Sequence, residues 1–93
     1  MAGTERLCAT ARILNKRGLH ARASAKIVEC SARFKSEITV TRDGQTVNGL
    51  SIMGLMMLAA NCGSDIEICA SGPDAAEAVK AILALAEAKF GEE

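Results

Sequence analysis

The sequence predicts an α+β fold, an open-faced sandwich in which a four-stranded antiparallel sheet carries three helices on one face. Four stretches alternate apolar and polar residues with period two, as expected for strands with one buried side. Three other stretches have the apolar spacing or the start signals of helices. A tight turn joins strands two and three, while helices separate the others, so the predicted order is βαββαβα.

The first half of the chain supplies one strand and one helix. A strand is predicted over residues 7–14, where the inward positions are Leu7, Ala9, Ala11 and Ile13. The polar stretch 15–18 interrupts this pattern and forms a loop. A helix over about residues 21–32 follows, because Ile27 and Val28 lie on one apolar side among good helix formers.

The second half begins with a hairpin. Strands over residues 36–42 and 45–48 flank Asp43-Gly44, a pair suited to the positive φ angles of a type I′ turn. Ser51 is predicted to cap a short helix through residue 58. A fourth strand contains Ile66, Ile68 and Ala70. The last helix is predicted to start within 71–74 with Pro73 in its first turn, and its apolar face is Val79, Ile82, Leu83 and Ala86.

Length and composition restrict the function. We expect one domain spanning residues 1–93, because a second core would need far more sequence. The 11 basic and 11 acidic residues cancel, and the only aromatic residues are two Phe, which argues against nucleic-acid binding. The absence of a signal-like segment and of a long apolar run argues against secretion and membrane insertion. The expectation is a cytoplasmic monomer.

The four cysteines lie at scattered positions: Cys8, Cys30, Cys62 and Cys69. No two of them have the C-x-x-C spacing typical of zinc sites, and the chain has a single histidine. We therefore expect four reduced, mostly buried thiols that pack as small hydrophobic groups, and no metal ion or organic cofactor.

His20 is the candidate reactive residue. It follows Gly18 in a loop and precedes the first helix, whose N-terminal amides form a ready anion site. Histidine is a nucleophile near neutral pH, and Arg22 could bind phosphate oxygens. A lone histidine at a helix start is most often a cap or a surface residue, so this pattern alone does not define the chemistry.

Two segments resemble the HPr family, the phosphocarriers of the bacterial phosphoenolpyruvate-dependent phosphotransferase system. Residues 18–24, GLHARAS, are similar to the family's phosphohistidine motif, and residues 51–58, SIMGLMML, are similar to its regulatory serine segment. The spacing of the two segments and the rest of the chain also fit. Ala23 departs from the family, which often has proline at that position, although alanine also suits a first helical turn.

The resemblance implies a set of roles and partners. His20 would be phosphorylated on Nδ1 by Enzyme I with assistance from Arg22, and would pass the group to an Enzyme IIA-type acceptor. Ser51 would be the target of an HPr kinase/phosphorylase. The protein would be a carrier rather than an enzyme, in either the sugar-transport or the nitrogen-regulatory branch of the system.

The short helix is a candidate docking surface. Its large apolar residues are Ile52, Met53, Met56 and Met57. Some of these are expected to pack in the core, and others to form an apolar patch that adapts to several partners. Arg17, Arg22 and Lys26 could surround the patch with positive charge.

Two other classes of function compete with the carrier. A small ligand-sensing α+β module would explain the fold and the apolar patch, but not the pairing of His20 with Arg22. A metal-handling domain would use the cysteines, although their spacing is unfavourable.

Overall fold

The computed structural model describes residues 5–92 and confirms the predicted order of elements. The strands are β1 (Glu5–Arg12), β2 (Glu37–Arg42), β3 (Gln45–Asn48) and β4 (Asp65–Gly72). The helices are α1 (Ala21–Ser31), α2 (Ile52–Met57) and α3 (Ala75–Glu87), and a 3₁₀ turn (Lys89–Gly91) follows α3. Within residues 5–92, no helix has the length and apolar character that a membrane crossing requires.

The four strands form one antiparallel sheet in the order β1-β4-β2-β3. The last strand in the chain, β4, is therefore internal and pairs with both β1 and β2. Its Ile68 lies opposite Ala9 of β1 and opposite Val40 of β2, so these three side chains share one face.

That shared face carries the core. Its largest fully buried residues from the strands are Val40, Ile66 and Ile68, and those from the helices are Ile27, Leu55 and Ile82. On the opposite face, Thr10 and Thr41 flank Glu67 in the register. One apolar and one polar face explain the open-faced arrangement.

The hairpin between β2 and β3 has the predicted turn. Asp43 and Gly44 have φ angles of 51° and 81°, the positive values that a type I′ turn needs at both central positions. The hydroxyls of Thr41 and Thr46, which are register partners, are 2.7 Å apart on the polar face.

The start of α3 differs from the prediction. Pro73 lies outside the helix, which begins at Ala75 after the N-cap residue Asp74. The Asp74 carboxylate does not cap α3. It accepts hydrogen bonds from the backbone N–H of Lys35 and of Ser36, both at 2.9 Å, and from the Ser36 hydroxyl at 2.6 Å. Asp74 therefore ties the start of α3 to the segment that enters β2.

The expectation of four reduced, mostly buried thiols is wrong. Cys8 and Cys69 form a disulfide, Cys30 is free and buried, and Cys62 is free and exposed. Cys8 and Cys69 are direct partners in the β1–β4 register, on the polar face. The two cysteines are 61 residues apart in the sequence. They meet only because β4 pairs with β1, and no local sequence pattern predicts that pairing.

Candidate functional site

His20 lies at the N-cap of α1, the position predicted from the sequence. Its backbone is extended, with φ −74° and ψ −178°, and its carbonyl accepts the Ser24 N–H at 2.9 Å to close the first helical turn. The ring does not cap the helix, and the side chain is 17% exposed. The first amides of α1 lack intrahelical acceptors, so the imidazole stands beside N–H groups that can bind an anion.

A tight loop sets the position of His20. The buried Asn15 donates from Nδ2 to the Gly18 carbonyl at 2.8 Å, and the Gly18 N–H donates to the Asn15 carbonyl at 3.2 Å. Gly18 has a φ of +66°, and a Cβ there would collide with the backbone carbonyl of Ala60. The Leu19 N–H donates to that same carbonyl at 3.0 Å. Glycine is needed both for the turn and for this close approach.

A carboxylate from the far end of the chain contacts the ring. Oε2 of Glu92 is hydrogen-bonded to Nε2 of His20, and Oε1 accepts a hydrogen bond from Nδ2 of Asn15 at 3.1 Å. The hydrogen bond from His20 holds the pKa of Glu92 below its ordinary value, with smaller contributions from Asn15 and from the charge of Arg17, while desolvation opposes the shift.

Neither Asn15 nor Glu92 was identified as a site residue from the sequence. The sequence around Asn15 predicts only a polar loop. Glu92 is 72 residues from His20, and no recognisable motif connects the two. Asn15 is 1% exposed, and a buried polar side chain points to a structural or functional role. That burial is visible only in the structure.

The site opens into a basic groove of about 520 Å³. The charged residues that line it are Lys16, Arg17, Arg22, Lys26, Lys89 and Glu92. Arg22 is exposed and makes no side-chain hydrogen bond with the described residues, so its guanidinium is available to an anion. Lys26 donates from Nζ to the Phe90 carbonyl at 2.7 Å, so it helps to hold the chain end that carries Glu92.

Ser51 caps α2 as predicted, because its Oγ accepts the Gly54 N–H at 2.9 Å. The expectation that some of Ile52, Met53, Met56 and Met57 pack in the core is wrong. Exposure is 40% for Ile52, 71% for Met53, 41% for Met56 and 65% for Met57, and we call these four residues the α2 patch. Leu55 alone anchors the helix in the core among the residues of α2.

One group of side chains has the composition of a metal site. Ligand atoms of Cys8, Glu67 and Cys69 lie within 4.8 Å of one another on the polar face of the sheet. Both sulfurs belong to the disulfide, and metals bind thiolates. Reduction of the disulfide would therefore have to precede metal binding at this group.

Known proteins resemble the chain in sequence and in fold. The family described as "PTS HPr component phosphorylation site" matches residues 7–88. The phosphocarrier protein HPr of Treponema pallidum is 49% identical over 84 residues, which are 90% of this chain and 96% of that protein. The phosphocarrier protein NPr of Shewanella violacea is 41% identical over 80 residues, or 86% of this chain and 88% of that protein.

A solved structure gives the same result for the fold. The crystal structure of HPr-C-His from Thermoanaerobacter tengcongensis superposes with a TM-score of 0.89 at 45% identity, covering 94% of this chain and 98% of that chain. The chain belongs to the HPr family of phosphocarrier proteins of the phosphotransferase system. Phosphoryl relay is the function that this family membership implies.

Proposed function

We propose that His20 accepts a phosphoryl group from Enzyme I and passes it to an Enzyme IIA-type acceptor. The observation that carries the proposal is the position of His20, the one histidine in the chain, at the start of α1 and beside a basic groove. A nucleophile, free helix amides and cationic side chains are the groups that phosphoryl transfer requires, because such transfer depends mainly on alignment and charge stabilisation.

The proposed reaction occurs at Nδ1. Its lone pair forms a bond to phosphorus while the bond between phosphorus and the donor protein breaks, and the electron pair of that bond stays with the donor. In the second transfer, the acceptor attacks phosphorus and the imidazole of His20 leaves. The amides at the start of α1 and the guanidinium of Arg22 would bind the phosphoryl oxygens. No metal ion or organic cofactor enters the proposal.

The α2 patch is the proposed docking surface for these partners, and Ile52, Met53 and Met56 are the residues that we expect to contact them. Exposed methionines suit a surface that packs against more than one partner. Arg17 and Lys26 would add positive charge beside the groove, with Lys26 also holding the Phe90 carbonyl. We further propose that an HPr kinase/phosphorylase phosphorylates Ser51, and that the protein acts as a cytoplasmic monomer.

Phosphorylation with purified partners tests the proposal. The protein is incubated with phosphoenolpyruvate and Enzyme I, and acid-labile phosphate is measured on the parent and on His20→Ala. We expect labelling of the parent and complete loss in His20→Ala, with Ser51→Ala labelled as a control. A ligand-sensing module or a metal-handling domain predicts no labelling of any variant. Labelling of His20→Ala would contradict the assignment of the residue.

A further inference from the structure

The last residues of the described chain lie against the proposed phosphoryl acceptor. We propose that Glu92 is a positioning residue for His20: it accepts a hydrogen bond from Nε2–H and thereby leaves the lone pair of the neutral ring on Nδ1. The inference rests on the proposed function of His20. It assigns to a residue outside the matched family region, which ends at residue 88, a role in selecting the reactive nitrogen.

The segment 88–92 is held in place by a buried side chain and by a hydrogen bond to its backbone. Lys89, Phe90 and Gly91 have φ angles of 56°, 56° and 77°, so the chain turns sharply after α3. Two non-glycine residues in the left-handed region are unfavourable unless other contacts compensate. Here the Phe90 side chain is 1% exposed in the core, and Lys26 binds its carbonyl at 2.7 Å. These contacts place Glu92, two residues after Phe90, beside His20 at the start of α1.

The carboxylate is oriented as well as placed. Asn15 is 1% exposed, and its Nδ2 donates both to the Gly18 carbonyl at 2.8 Å and to Oε1 of Glu92 at 3.1 Å. The same loop residue therefore fixes the backbone before His20 and one oxygen of Glu92. The second oxygen, Oε2, is left for the imidazole.

This arrangement selects one tautomer. A neutral imidazole has one N–H and one lone pair, whereas an ionised carboxylate can only accept. The hydrogen bond that one ring nitrogen makes determines which nitrogen carries the proton. Nε2 must carry the hydrogen to donate to Glu92, so Nδ1 has the lone pair that attacks phosphorus.

Glu92 also places a negative charge beside the ring of His20, in a groove that is otherwise lined by positive charges. The groove beside Glu92 is lined by cationic side chains from each element: Lys16 and Arg17 in the loop, Arg22 and Lys26 on α1, and Lys89 after α3. Among the described residues lining the groove, Glu92 carries the one negative charge. When Nδ1 binds phosphorus and the ring gains positive charge, this carboxylate is the group that stabilises it.

Nitrogen-15 NMR of the histidine ring tests the inference without any partner protein. Spectra are recorded at about pH 9, where imidazoles are neutral, for the parent, Glu92→Ala, Glu92→Gln and Glu87→Ala. We expect a protonated Nε2 and an unprotonated Nδ1 in the parent and in the exposed control Glu87→Ala. In Glu92→Ala the two nitrogen shifts should move toward each other. Glu92→Gln keeps an acceptor oxygen and should retain most of the parent's preference.

Transfer rates complete the test. We expect phosphorylation of Glu92→Ala by Enzyme I to slow about tenfold, the scale of one hydrogen bond to a charged group, with Glu92→Gln slowed less and Glu87→Ala unchanged. Parent-like nitrogen shifts in Glu92→Ala would overturn the inference. The inference would also be overturned if Glu92→Ala had altered nitrogen shifts but was phosphorylated at the parent's rate. If the parent itself accepts no phosphate while its shifts depend on Glu92, the Glu92–His20 pair stands and the proposed function fails.

Discussion

At the scale of single residues, the site joins groups from both ends of the chain. Asn15 and His20 come from the loop before α1, and Glu92 follows α3. The hydrogen bonds among them give the imidazole a fixed setting, whereas Arg22 stays exposed and makes no side-chain hydrogen bond with the described residues. This contrast separates the residues that would position the proposed nucleophile, His20, from the residue that we propose binds the phosphoryl group, Arg22.

Replacing Arg22 with alanine should slow phosphoryl transfer to His20 about tenfold or more, because a charge-assisted hydrogen bond to a phosphate oxygen is lost. The helix should be unaffected, since alanine is the best helix former. Single-turnover phosphorylation measures the rate, and circular dichroism checks the fold. Arg33→Ala, at an exposed arginine beyond the other end of α1, is the matched control. Equal rates for Arg22→Ala and the parent would remove Arg22 from the mechanism.

The sequence was sufficient to find His20 but not its partners. A single imidazole between a glycine-containing loop and a helix start can be found by inspection, and its proposed chemistry rests on the resemblance of residues 18–24 to a known motif. Glu92 reaches the ring only because Lys89 and Phe90 adopt positive φ angles. Neither residue type favours that conformation, so the turn follows from the packing of Phe90 and has no local signal.

At the scale of elements, two helix starts are used in different ways. Ser51 caps α2 with its own side chain, at 2.9 Å from the Gly54 N–H. Asp74 precedes α3, but its carboxylate binds Lys35 and Ser36 instead. The first contact is local and could be predicted from the sequence. The second joins segments 38 residues apart and could not.

A negative charge at Ser51 should weaken the encounter with Enzyme I without weakening the fold. Aspartate is a good N-cap and suits the positive end of a helix, so Ser51→Asp should leave the free energy of unfolding unchanged or raise it by up to about 1 kcal/mol. Beside the α2 patch, the added charge would have to be desolvated in the complex, so the KM for the carrier should rise.

Ser51→Asn is the control for this prediction, because asparagine also caps a helix but adds no charge. Thermal melting and phosphorylation kinetics on the parent and both variants provide the measurement. A stable Ser51→Asp variant with the parent's KM would show that α2 does not face the donor.

Asp74 should make the stability depend on pH. The pKa of Asp74 is held below its ordinary value mainly by the hydrogen bond from the Ser36 hydroxyl. The hydrogen bonds from the backbone amides of Lys35 and Ser36 lower it further. The ionised carboxylate therefore stabilises the folded protein above the ordinary aspartate range of about 4. This contribution is lost as the pH falls through the lower, folded pKa.

Urea unfolding of the parent and Asp74→Asn at several pH values checks this expectation. The parent should be more stable at pH 7, and the difference should shrink as the pH falls below about 4. Asp43→Asn, at the exposed hairpin turn, controls for the loss of one negative charge. A difference between parent and Asp74→Asn that is the same at every pH would contradict the role of the ionised carboxylate.

At the scale of the whole molecule, β4 organises the structure. It lies between β1 and β2 and is hydrogen-bonded to both, so it joins the first strand to the β2–β3 hairpin. The alternation of apolar residues predicted the strands and their buried faces, and the Asp43-Gly44 turn predicted one pairing. The order of the other strands depends on long-range packing, so the sequence alone does not predict the Cys8–Cys69 disulfide.

The disulfide should contribute to global stability. It links residues 61 positions apart, and a loop of this length corresponds to about 4 kcal/mol in the chain-entropy account. Reduction, or the double substitution Cys8→Ala with Cys69→Ala, should therefore lower the urea midpoint. Cys62→Ala, at an exposed free thiol, should not. A parent midpoint that is insensitive to reductant would show that this bond does not stabilise the fold.

Phosphorus NMR can determine whether Nδ1 of His20 is the atom that accepts the phosphoryl group. The nitrogen-15-labelled protein is phosphorylated with phosphoenolpyruvate and Enzyme I, and the nitrogen that couples to phosphorus is identified. We predict a single phosphoryl group on Nδ1 of His20, absent from His20→Ala and removed when an Enzyme IIA-type acceptor is added. Phosphate on any other residue, on Nε2, or on no residue at all would contradict the account.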